Sequence, residues 1–177
     1  MNRKLEWLKG LLRFTALSAG LLMLVSVLHW IPAAVDKEGL KPFATVEQLK
    51  GEAGFGRVLI PSYFPEGIKW PPRLVLGQVR PFMAAVIELD SKEVERFLVI
   101  SESSSPDFEP GNASRFFSLR QSVNIELKGR NVLVETGLCK DASSCSRLSW
   151  DEEGLHVRIL MHSPSLELIR IAESMLN

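Results

Sequence analysis

From Phe14 to Val35 the chain runs 22 residues without a charged side chain, directly behind a stretch carrying Arg3, Lys4, Lys9 and Arg13. A helix rises about 1.5 Å per residue and the hydrocarbon core of a bilayer is about 30 Å thick, so about 20 apolar residues suffice to cross it. The run therefore predicts a transmembrane helix over residues 14–35, with the lipid bilayer as its partner. Positive charge beside a first spanning helix is retained in the cytoplasm. Four bases and one acid, Glu6, precede the run, whereas Asp36, Lys37, Glu38 and Lys41 follow it in balance. Residues 1–13 are thus expected to form a cytoplasmic stub and residues 36–177 to face outward. A cleavable signal peptide is the competing reading, but its apolar region spans about 7–15 residues and ends in a small-x-small site. Here the exit is His29-Trp30-Ile31-Pro32-Ala33-Ala34, which puts Pro32 or Ile31 three positions before any cut. The uncleaved anchor is favoured.

His29 and Trp30 fall where the helix leaves the bilayer. Tryptophan at that depth is an ordinary interfacial anchor. A histidine there can ligate a cofactor of a neighbouring subunit, although a side chain wetted by headgroup water is the plainer account. Ala16, Ser18, Ala19 and Gly20 are small enough to let another membrane helix approach closely.

The stub takes four of the 21 basic residues and one of the 21 acidic ones, leaving 17 and 20 outside and a net charge of about −3. That balance gives no reason to expect nucleic acid. A segment of about 140 residues lies within the usual single-domain range and can bury a core. Its two cysteines, Cys139 and Cys145, flank five residues. In an oxidising compartment they are expected to form a disulfide at a hairpin tip. A zinc site would use them with His156 and His162, but the spacing C-x5-C-x10-H-x5-H does not match a zinc finger, and the histidines fall in a strand pattern. No metal and no other cofactor is expected.

Thr45-Val46-Glu47-Gln48 has the form of a capping box and predicts a short helix with Val46 and Leu49 on its apolar face. Val58-Leu59-Ile60 reads as a strand, and Pro61 to Pro72 as an irregular, proline-stiffened segment bearing Tyr63, Phe64 and Trp70. Strand patterns follow at Leu74–Val79, Ala84–Leu89, Phe97–Ile100, Val123–Leu127, Val132–Val134, Leu148–Trp150 and Leu155–Met161. Lys128 to Asn131 and Asp151 to Gly154 read as turns, and Ser101 to Ser114, which includes the sequon Asn112-Ala113-Ser114, as a loop. In the last strand Val157, Ile159 and Met161 share the core face, leaving His156, Arg158 and His162 on an outward polar face. Ser163-Pro164 opens a closing helix over Ser165–Leu176, with Leu166, Ile169, Ala172 and Met175 or Leu176 on its inner side. The fold class is α+β: an N-terminal transmembrane helix, then an antiparallel-sheet domain with a short N-terminal helix and a C-terminal covering helix.

The order Pro61-Ser62-Tyr63-Phe64-Pro65-Glu66-Gly67, several strands, Leu148-Ser149-Trp150-Asp151-Glu152-Glu153-Gly154 and a closing helix ending Ile171-Ala172-Glu173-Ser174-Met175-Leu176 resembles a family of bacterial extracytoplasmic domains of unknown function, DUF4367, over residues 45–176. The resemblance implies an α+β domain in the bacterial envelope, here tethered to the inner membrane, and carries no catalytic residues. Some relatives of this kind accompany anti-sigma regulators, but a stub of 13 residues is too short to fold around a sigma factor.

No nucleophile elbow, HExxH or phosphate-cradling loop is present, so no catalysis is expected. Two surfaces are candidates for binding a partner: Tyr63, Phe64 and Trp70, which lose little entropy on a stiff loop, and the stripe of His156, Arg158 and His162. The expected function is that of an interaction protein, an accessory or assembly subunit of an inner-membrane complex with a membrane-protein partner. A ligand- or peptide-binding sensing module is the alternative.

Overall fold

The structure is a computed structural model that describes Ser18 and residues 39–91, 97–110, 118–139, 143–162 and 165–176. Apart from Ser18, the apolar run expected to span a membrane, the residues before it, His29, Trp30 and the sequon lie outside the described residues. Among the described residues no helix is long and apolar enough to cross a membrane. The chain divides into two units, Met1–Gly39 and Leu40–Asn177, and the second holds every element described below.

That unit is one eight-stranded antiparallel sheet in the order β1-β2-β3-β4-β8-β7-β6-β5. Its strands are β1 (Lys41–Phe43), β2 (Leu74–Gln78), β3 (Ala84–Asp90), β4 (Phe97–Ser103), β5 (Ser118–Leu127), β6 (Arg130–Leu138), β7 (Ser144–Glu152) and β8 (Leu155–Met161). Two four-stranded meanders therefore meet along β4 and β8, where Ile100 lies opposite Ile159. The β5–β6 and β7–β8 hairpins close on two-residue turns, Lys128-Gly129 and Glu153-Gly154, with all four residues at positive φ. This is the type I′ geometry that matches strand twist. It shortens both expected turns, because Arg130, Asn131, Asp151 and Glu152 remain in the ladders.

One face of the sheet carries the main core, built from alternate residues such as Ile87, Leu98, Ile100, Leu148, Trp150, Val157 and Ile159. Helix α1 (Val46–Gly51) covers the β1–β2 end, capped where Thr45 Oγ1 accepts from Gln48 N at 3.1 Å. The glutamine reaches back to Ala44 N, at 2.9 Å, one residue beyond the usual capping-box partner. Val46 and Leu49 are buried as the sequence implies. Leu49 and Phe55 press on Gly77 of β2, where a Cβ would collide with both side chains. Helix α2 (Ser165–Met175) lies over β7 and β8. Its buried residues are Leu168, Ile171, Ala172 and Met175, with Leu176 just beyond, whereas Leu166 is 71 % exposed. The expected inner stripe is thus rotated. Both stripes have helical spacing and share Ala172 and the end of the helix; the one that docks has Leu168 and Ile171 where the other has Leu166 and Ile169. Lys128 Nζ, on the β5–β6 turn, donates to Glu173 O at 2.9 Å and Leu176 O at 2.8 Å, joining that hairpin to the carbonyl end of α2.

Val58-Leu59-Ile60 is not a strand. Val58 and Leu59 are buried in the main core, and the segment is held by a side chain: Leu59 N donates to both carboxylate oxygens of Glu102 on β4, at 3.0 and 3.1 Å. Glu102 is 1 % exposed. Burial is the largest influence on it and pushes its pKa up to about 8, against the opposing effects of that backbone bond and of Lys50 and Arg57.

Cys139 and Cys145 form a disulfide across the β6–β7 connection, with Cα atoms 5.6 Å apart. Both thiols are consumed, which removes them from any zinc site. The bridge lies on the opposite face of the sheet from the main core and packs with Leu160, Phe97 and Val99 as a second small apolar cluster.

Candidate functional site

Pro61 to Pro72 is irregular as expected, and its hydrogen bonds show why it is nonetheless fixed. Ser62 Oγ donates to Ser174 O, and Tyr63 N to Ser174 Oγ, both at 3.2 Å, tying the segment to the end of α2. Tyr63 Oη bonds Glu167 Oε2 at 3.1 Å, near the start of the same helix. Beyond the Gly67 turn, Ile68 bridges Ser91 and Lys69 N donates to Asp90 O at 2.8 Å. Arg73 forms ion pairs with Glu88 and Asp90.

The three aromatic residues of this segment have different roles. Tyr63 and Phe64 are partly buried against the main core, closing one end of it. Trp70 remains 49 % exposed, with its ring 5.5 Å from that of Phe64 at an interplanar angle of 41°. Beside them opens a cleft of about 310 Å³, lined by Tyr63, Glu66, Ile68, Met161, His162 and Glu167 among others. The lining is mainly polar and includes two carboxylates, Glu66 and Glu167, the second bonded to the Tyr63 hydroxyl. Sequence reasoning missed Glu66, Glu167 and Met161 as lining residues. Their only shared signal is adjacency to the loop or to the helix it docks on, which becomes visible once Tyr63 is seen to bond Glu167.

The structure brings Tyr63 and His162 into one cleft but does not bring the whole stripe of β8 with them. His162 lies against Phe97, ring centroids 6.3 Å apart. His156 and Arg158 lie on the opposite face of the sheet from the main core, and that face is not the solvated surface expected of it. Residues 108–110 fold over it. Arg158 Nη1 donates to Phe108 O and to Glu109 Oε1, each at 3.2 Å, and only 15 % of its side chain is exposed. Arg147 pairs with Glu135 at 2.6 Å and approaches Glu109 at 3.6 Å. Burial pulls the Arg158 guanidinium below its usual range, helped by the like charge of Arg147. His156 Nδ1 lies 2.8 Å from Asp151 Oδ1. Arg158, a candidate for contact with a partner, instead has a carboxylate of its own chain, Glu109, beside it.

Among the described residues no three His, Cys, Asp or Glu side chains converge as metal ligands. Compared with known proteins, the chain matches no family model, no curated protein and no solved structure.

Proposed function

We propose that this chain is a single-pass, N-terminus-inside protein of the bacterial inner membrane whose extracytoplasmic domain acts by protein contacts, as an accessory or assembly subunit with no catalysis of its own. The observation that carries the reading is Trp70: a large ring half exposed on a loop that proline, a β-bridge and hydrogen bonds to α2 hold rigid. Such a ring buries apolar area on binding while little chain entropy is lost, which is the profile of an interface anchor. The apolar run at 14–35 supports the anchor and the charge of its flanks supports the orientation.

The test is purification of the tagged full-length protein from its own membranes in mild detergent, with mass spectrometry of whatever stays stoichiometric through a sizing column. Companions that remain with the wild type and are lost with Trp70→Ala are the expected result. A protein that emerges alone, or keeps its companions in Trp70→Ala, overturns the role given to that ring. The cleft beside Tyr63 favours the second reading, a small-ligand or peptide-binding module, and a solitary protein would make ligand screens against that cleft the next step.

A further inference from the structure

The two edges of the sheet are built differently. At one end β1 has three residues and contains Pro42, which removes a donor and blunts the edge. At the other, β5 runs ten residues, Ser118–Leu127, with no proline and no lysine, and every residue from Ser118 to Asn124 is exposed. Leu119 and Val123 are 52 % and 50 % exposed. Its register with β6 is regular from Gln121 to Leu127 and broken only between Leu119 and Gln121, which leaves Arg120 as an extra residue.

The two-residue turn fixes which groups face the open side. The closing pair Leu127 and Arg130 is the hydrogen-bonded kind, so Ile125, Val123 and Gln121 direct their N–H and C=O groups to β6, while Ser122, Asn124 and Glu126 direct theirs outward. A second antiparallel strand that pairs there must offer the same alternation. The strand that does so with matching charge is β5 itself. When Val123 faces its own copy, Ser122 faces Asn124 in the regular part of the strand and the extra residue Arg120 comes level with Glu126, and the two-fold axis makes each of these approaches twice. Moving the register by two residues puts Asn124 opposite itself and Arg120 opposite Lys128, a like-charge pair. Moving it the other way leaves Arg120 opposite Asn124 and Glu126 opposite Ser118, with no ion pair.

We propose that β5 is a self-association edge, through which two copies of this chain pair antiparallel about Val123 to form a continuous sixteen-stranded sheet. The pairing adds about four main-chain hydrogen bonds through the two Ser122–Asn124 pairs by the antiparallel pattern, and it brings the exposed Val123 side chains together. It does not depend on the accessory-subunit reading, since a dimer forms whether or not other proteins join it.

Disulfide trapping of the full-length chain in its own membranes tests the proposal, because the native cysteines are already bonded to each other. At the axis, the Val123 positions form a non-hydrogen-bonded pair with Cβ atoms about 4.5–5.5 Å apart, close to the spacing a disulfide spans. Val123→Cys is expected to give a dimer under mild oxidation, and Asn124→Cys, which faces Ser122 across the axis, several-fold less. Adding Arg120→Glu to Val123→Cys should cut trapping several-fold, and adding Glu126→Arg to that variant should restore it. Equal trapping at 123 and 124, failure of the charge exchange to restore it, or an adduct with a different polypeptide would each overturn self-pairing in this register.

Discussion

Glu102→Gln isolates the energetic consequence of burying a lone carboxyl under Leu59. Glu102 lies on a central strand, opposite Ala85 on one side and Val157 on the other, and faces the main core. Its pKa rises from an unfolded value of 4.5 to about 8. The folded state therefore holds a proton that the unfolded chain releases above pH 4.5. The stability this confers is complete below pH 4.5 and is lost as pH rises through 8. Each pH unit inside that window costs about 1.4 kcal/mol, and the whole window about 5 kcal/mol, a large part of the 5–15 kcal/mol that holds a typical domain together. Glutamine keeps an acceptor for Leu59 N and cannot ionise, so the variant should lack this slope. Its extra amide donor costs about 1 kcal/mol if it finds no partner, and the variant should be slightly less stable than wild type at pH 5 but clearly more stable at pH 9. The assay is urea denaturation of the full-length protein in mild detergent, followed by tryptophan fluorescence from pH 5 to 9. Other titrating groups cancel in the difference between the two proteins. Glu152, which Arg130 holds below 4.5, loses its own contribution only at more acid pH. Parallel stability curves for wild type and Glu102→Gln across the window would refute the argument.

The remaining predictions concern the staple and the helix. Replacing both Cys139 and Cys145 by Ser should cost about 2 kcal/mol, the chain-entropy value for so short a loop, read as a lower urea midpoint that reductant reproduces in the wild type and not in the variant. Leu168→Ala should cost about 2–5 kcal/mol, while Leu166→Ala, two residues away on the exposed side of α2, should change the midpoint by less than about 0.5 kcal/mol. The reverse order would mean that α2 docks by the other stripe.

Much of the sheet was legible because its strands obey local rules. The two hairpins announce themselves through Lys128-Gly129 and Glu153-Gly154, and the alternation in β8 assigns Val157, Ile159 and Met161 to the core without reference to any other strand. The pairing of Cys139 with Cys145 followed from their being the chain's two cysteines, six positions apart, in a segment expected to face an oxidising compartment. Failures arose where a segment's environment is made by residues far away in the chain. Val58-Leu59-Ile60 is as apolar as any strand here, yet its central N–H, that of Leu59, is taken by the side chain of Glu102, 43 positions away, and not by a neighbouring strand. β1 escaped notice for the converse reason: three residues including a proline carry no periodicity, and only the edge of β2 makes them a strand.

The polar stripe of β8 failed in a more instructive way. Period two says that His156, Arg158 and Leu160 share a face; it does not say what lies over that face. Leu160, apolar in an otherwise polar stripe, was a sign in the sequence that something does, and it is 3 % exposed in the disulfide cluster. Once residues 108–110 and the disulfide cluster cover it, Arg158 and Arg147 need counter-charges within the fold, and Glu109 and Glu135 supply them. A charge that looks available in sequence is thereby committed to structure, because an arginine with 15 % of its side chain exposed costs too much to leave unpaired. The same reasoning turns attention to the residues that remain uncommitted. Trp70 on its fixed loop and the open side of β5 are exposed although apolar or rich in unpaired backbone, and neither is needed to complete the core. Removing Trp70 or charging the β5 edge should therefore leave the domain folded and change only what it associates with, which separates an interaction surface from a structural one in a single pair of measurements: the urea midpoint and the composition of the purified complex.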